Sequence, residues 1–302
     1  MTPIAKAILG AVGVGMLWAS VGVVFSRVTR KGADCAPFMA LSAFIVVAGG
    51  LIIFPDYSAM KGNVTENLFS IQSILVAAGI CSSAGMFLMH KAMRMGHHGA
   101  TWTIGQSGFV IPFLTGILLW HDSADPANFL GALFILTGLV SLGAANRMRN
   151  PDDSRDDVPA LRWFIIALLA FAMIGTSQTL VTVPSRYIAR ETDTGLRVPL
   201  LMSGSLIGYL AMSRAGNKSF LKNFSIEIFI LAGITLASHS LMFSAIDLFA
   251  DANKAGLAHP IAVGTCIVSF CVYSLCWLKE ELNTARLAGL TLATAGIIMV
   301  SW

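Results

Sequence analysis

The sequence predicts an all-α integral membrane protein: ten transmembrane helices arranged as two inverted five-helix repeats. Three observations predict it. Apolar blocks, nearly all long enough to cross a bilayer, recur along the chain between short polar joints, and about 20 apolar residues span the hydrocarbon core as a helix. Hydrophobic residues make up 56% of the chain and charged residues 12%, about half the charged share of a soluble domain. Finally, an acidic joint followed by a glycine-spaced apolar block occurs once in each half.

The spans fall near 4–26, 36–54, 70–92, 98–120, 127–145, 161–183, 196–213, 226–249, 255–278 and 285–301. Barrel strands would be about 10 residues long with alternating polarity, so helices are the only fitting element. The first block is too long for a signal peptide and no small-residue cleavage site follows it, so it reads as a retained span. Trp120, Trp163, Trp277 and Trp302 lie near span ends, where aromatic belts form. The joint 146–160, NRMRNPDDSRDDVPA, is the most polar of all. It divides the chain into a first repeat (1–146), a cytoplasmic linker (147–160) and a second repeat (161–302). Ten spans consume almost all 302 residues, which leaves no room for a soluble catalytic domain.

The halves match at a fixed offset. Gly131 and Gly289 lie 158 positions apart, as do Gly138 and Gly296, and Asp122 and Glu280. Five spans is an odd number, so the second half must enter the membrane inverted, a frequent transporter plan with the substrate at the midplane between repeats. Joints after odd-numbered spans carry Arg27, Arg30, Lys31, Lys91, Arg94, Arg147, Arg149, Arg155, Arg162, Arg214, Lys218, Lys222, Lys279 and Arg286. The other side carries Lys6, Lys61, Arg186, Arg190, Arg197 and Lys254. The positive-inside rule puts the larger set in the cytoplasm and both termini outside, in a bacterial-type cytoplasmic (inner) membrane. The net charge of +4 is modest and gives no sign of a nucleic-acid partner. The five cysteines form no CxxC pair and read as small packing residues, not metal ligands.

The ten spans, the five-plus-five division and the stretch LKEELNTARLAGLTLATAGIIMV resemble the drug/metabolite transporter superfamily. Two further segments, VVFSRVTRKGAD and MHKAMRMGHHGATWTIGQSG, are similar to the L-rhamnose–proton symporter and glucose/ribose porter families, as is the termini-out charge bias. The resemblance implies proton-coupled monosaccharide uptake.

Ionisable groups inside a membrane need a reason. His239 sits near the centre of the eighth span and shares a helical stripe with Phe243 and Asp247. It can bind substrate and carry a proton, or bond a neighbouring helix. Asp247, near the span end, is a second proton-coupling candidate or a solvated helix terminus. His259, before Pro260, is a site residue or an interfacial one. Trp102 and Gln106 stand one turn apart: an aromatic ring can stack on a sugar and an amide can bond its hydroxyls. The alternative is a belt tryptophan and a helix-linking amide. Gln178 is a midplane amide of the same standing, and Trp18 is preferred over Ser20 as a lining residue of the first span. His90 is a candidate at the inner mouth, Lys91 snorkels, and Gly10, Gly13 and Gly15 pack helices.

No nucleophile–base motif, metal box or phosphate loop is present, so an enzyme is not expected, nor a cofactor. The reading is a secondary active transporter of a small polar metabolite, most simply a monosaccharide moved with protons (or sodium) by alternating access. An exporter of amino acids, metabolites or drugs is the alternative, and lipid flipping a remote one.

Overall fold

The computed structural model describes residues 1–30, 35–53, 65–95, 101, 104–147, 160–187, 194–213, 225–276 and 284–301. Among them are ten α-helices and no strand: α1 (Pro3–Arg30), α2 (Cys35–Ile53), α3 (Thr65–Met93), α4 (Val110–Trp120), α5 (Pro126–Arg147), α6 (Ala160–Tyr187), α7 (Thr194–Met212), α8 (Ser225–Asp251), α9 (Ala258–Cys276) and α10 (Thr284–Ser301). Short 3₁₀ turns, Ser107–Phe109 and Ala255–Leu257, lead into α4 and α9. Five segments are long and apolar enough to cross a membrane: Pro3–Val24, Cys35–Ile53, Gln72–Met93, Leu161–Arg186 and Ile226–Asp251. Five more helices are apolar but shorter. The protein is therefore a multi-pass helical membrane protein. The joint at 148–159 lies outside the described residues.

Local chemistry sets the helix ends. Pro126 opens α5, where a missing N–H costs nothing. Pro184 and Pro199 lie inside α6 and α7, near their ends. His121 takes a left-handed conformation (φ 53°) after α4, and the Asp122 N–H then turns back onto the Gly116 carbonyl at 2.9 Å. Asn253, also left-handed (φ 54°), ends α8 in the same way, with the Lys254 N–H on the Phe249 carbonyl at 2.8 Å.

Lipid supplies no hydrophobic force between helices, so close backbone approach must hold them together. Glycines provide it. A Cβ on Gly79 would run into the Leu201 carbonyl of α7, and one on Gly204 into the Val76 carbonyl of α3. At the α5–α10 crossing the approaches are reciprocal: a Cβ on Gly131 would meet the Gly296 carbonyl at 2.7 Å, one on Gly296 the Gly131 carbonyl at 2.6 Å, and one on Gly138 the Gly289 carbonyl at 2.7 Å.

The bundle has two ends. At one, here the terminal end, α1 begins and α10 finishes; at the other, the linker end, α5 finishes and α6 begins. The main core occupies the terminal half. It runs from Ala7, Ala11 and Val14 of α1 through Phe113 of α4 and Phe243, Ile246 and Phe249 of α8 to Ile261 of α9. Toward the linker end the apolar contacts of the described residues break into four small clusters, each including methionine, at positions 39, 86, 89, 93, 95 and 212.

Candidate functional site

Polar side chains form a column from mid-bundle to the terminal end. At its deepest level α1 presents Trp18 and α8 presents His239, their rings 6.5 Å apart and tilted by 55°. His239 Nδ1 lies 2.9 Å from the Thr235 carbonyl. A carbonyl can only accept, so Nδ1 carries the hydrogen, and Nε2 of the neutral ring is left as an acceptor.

One level outward, α6 and α9 meet. The Thr182 hydroxyl donates to the Gln178 carbonyl at 2.9 Å, and His259 Nε2 is 3.5 Å from the Thr182 oxygen. Because that hydroxyl hydrogen is already used, Nε2 is the donor toward it and His259 Nδ1 is a bare acceptor. That Nδ1 is buried without a partner, and so are the Gln178 side-chain oxygen and the Ser240 hydroxyl. A buried polar group left unpaired costs about 1–3 kcal/mol, so these three atoms can be met by water or by a polar ligand. Two of the three are acceptors, which favours a donor-rich ligand.

The next level carries full charges. Arg197, at the start of α7, is 1% exposed. Its Nη1 donates to Asp247 Oδ1 at 2.8 Å and to the Ser185 hydroxyl at 3.1 Å, and its guanidinium lies 5.8 Å from the centre of the Phe243 ring. Asp247 is eight residues beyond His239, about 12 Å closer to the terminal end.

The outermost level joins three turns. Arg186 at the end of α6 pairs with Asp122 after α4, both side chains almost fully buried. The other Asp122 oxygen accepts the Gly256 N–H from the turn before α9 at 2.9 Å. Arg186 lies 5.8 Å from the Trp120 ring centre, and the Ser123 N–H reaches the Asn253 carbonyl at 3.0 Å.

The structure thus brings Trp18, Gln178, His239 and His259 into one region. His259 is 2% exposed, a buried group and not an interfacial one. Asp247 is the counterion of Arg197, where the sequence left open a solvated terminus, and Phe243 lies buried beneath that cation. Gln106 sits in the other half of α4's segment, beside Gly105, whose Cα faces Met89 and Ile174. No described contact joins Gln106 to His239. Trp102 lies outside the described residues. His90 is buried in the last turn of α3.

Sequence reasoning missed Arg197, Ser185, Thr182 and Ser240. Arg197 had a signal: it stands inside an apolar span, GLRVPLLM, and a charge there needs a counterion. Thr182 and Ser240 had none, since hydroxyls are common in such helices.

No protein-family model matches this sequence, and no curated protein matches it. Among solved structures, one described only as the crystal structure of a protein superposes with a TM-score of 0.72, covering 98% of this chain and 96% of that one at 14% identity. At that identity the likeness is one of fold.

Proposed function

We propose that this chain is a secondary transporter of a small, uncharged, hydroxyl-rich metabolite, with a monosaccharide moved alongside protons as its working form. The observation that carries the reading is the set of unpartnered polar atoms buried at mid-bundle, Gln178 Oε1, Ser240 Oγ and His259 Nδ1, beside the Trp18–His239 pair. Sugar hydroxyls donate to bare acceptors, and an indole packs on sugar C–H faces. The full charges of the column are already engaged with one another, which favours a neutral solute. His239, with Nδ1 bonded to the Thr235 carbonyl, keeps Nε2 as an acceptor, the kind of ring nitrogen that can take up a proton.

An inverted repeat is part of the same proposal, and the glycine contacts support it. With an offset of 158, Gly131 corresponds to Gly289 and Gly138 to Gly296. The observed pairs are Gly131 with Gly296 and Gly138 with Gly289, the exchange of partners that a two-fold axis generates. Close approaches of the same kind occur elsewhere: Gly15 of α1 lies against Ala262 and Cys266 of α9, and Gly175 of α6 against Gly108, in the turn before α4, and Ile111 of α4. Such halves can rock about a midplane site. Following the charge bias, the terminal end faces outward.

A second reading draws on Arg197 and Asp247: a pair of opposite charges can also trade partners with a zwitterion, which would make the solute an amino acid and the protein an exporter.

The test is thermal stability of the purified protein against sugars, amino acids, nucleosides and cationic drugs. A ligand at about 100 times its Kd adds about 2.7 kcal/mol to the bound state. Stabilisation by one monosaccharide supports the proposal. Stabilisation by amino acids or drugs alone overturns it in favour of export.

A further inference from the structure

The outermost level of the column joins the two halves of the chain. Asp122 belongs to the first half, and Arg186 and Gly256 belong to the second. Both carboxylate oxygens of Asp122 are engaged across that divide, one by the Arg186 guanidinium and one by the Gly256 N–H at 2.9 Å. The fit allows no spare volume: a Cβ on Gly116 would come within 2.7 Å of Asp122 Oδ2 and 3.1 Å of the Gly256 Cα. The left-handed turn at His121 aims Asp122 inward. Beneath this contact lies the continuous core of the terminal half. Toward the linker end the packing is divided into small clusters.

We propose that the Asp122–Arg186–Gly256 contact is the lock that holds the terminal end shut, and that the structure is of the state closed at this end. The inference rests on the transport reading, in which the halves must part here for solute to pass. A buried ion pair suits a lock: it is stable when assembled and cannot persist half-made, because either charge alone would be left buried without its partner. The two ends of the Asp122 carboxylate release together, so the end is shut or open with little between.

The experiment uses a single reporter cysteine, Thr182→Cys, one turn below Arg186, in a full-length chain whose five native cysteines are replaced by alanine. Thr182 is fully buried in the closed state. A membrane-impermeant thiol reagent is applied to membrane vesicles of each orientation, and a second cysteine variant at the exposed Asp125, Asp125→Cys, identifies which orientation presents the terminal end. Asp122→Asn removes one charge of the lock. Gly116→Ala keeps every charge but wedges the contact, so it reports even if Asp122→Asn does not fold. Both should raise the labelling rate of the reporter from the terminal side roughly tenfold, by enriching a minor open state, with labelling at position 125 unchanged. Reporter labelling unchanged by both substitutions in folded protein would overturn the lock. The assay contains no solute, so a transport reading that fails in the ligand panel leaves this result standing, and the reverse.

Discussion

The two ends of this bundle are built by different physics. The terminal end is held by directional contacts: Asp122 with Arg186 and Gly256, Arg197 with Asp247 and Ser185, Ser123 with Asn253, and Asn128 reaching the Val300 carbonyl at 3.2 Å. Among the described residues, the linker end shows apolar contact, much of it from Met39, Met86, Met89 and Met93, with Tyr209 among them, and a bond from the Trp163 indole to the Thr101 hydroxyl at 2.8 Å. Methionine is flexible and fills irregular gaps without demanding one geometry. Ion pairs demand one geometry or none. The difference teaches that the terminal end is specified by contact geometry, and that the described packing of the linker end tolerates changes of shape.

Substitutions at the two ends should therefore differ in cost. The largest effect is expected from Asp247→Ala, which removes the carboxylate paired with the buried Arg197. Its loss should approach about 3 kcal/mol, read as a fall in melting temperature of the purified protein, and Arg197→Met added to it should recover most of that loss. If Asp247→Ala alone is harmless, the terminal end is not held by charge as described. The smallest effect is expected from Met89→Leu at the linker end, a swap of similar volume among adaptable neighbours that should cost less than about 1.5 kcal/mol. A larger cost would mean that this end is packed as rigidly as the other, and the comparison would fail.

The contrast also marks what the sequence could tell. The ten apolar segments were legible because lipid permits only internally bonded helices, and length and composition announce them. The glycine pairs of α5 and α10 were legible as a fixed offset, although their reciprocal contact is visible only in three dimensions. His239 was legible as the histidine at the centre of a span. Arg197 was readable and misassigned: counted by side, it fell among the joint charges, yet it lies within the apolar run that α7 buries. The Asp122–Arg186 pair could not be read. Its partners are 64 positions apart, and each taken alone is an ordinary charge at a helix end. Their meeting follows from the way α4, α6 and α9 converge, and no local pattern encodes that.

The central claim is that solute crosses this protein with a proton taken up at His239. The most direct measurement is uptake of radiolabelled monosaccharides into proteoliposomes under an imposed proton gradient, with the wild-type chain and His239→Ala compared side by side. The account predicts accumulation by the wild type that collapses with the gradient. It predicts no accumulation by His239→Ala, which should still exchange internal for external solute because Gln178 and His259, the proposed binding groups, remain. Equal accumulation by His239→Ala, or no accumulation of any monosaccharide by folded wild-type protein, would contradict it.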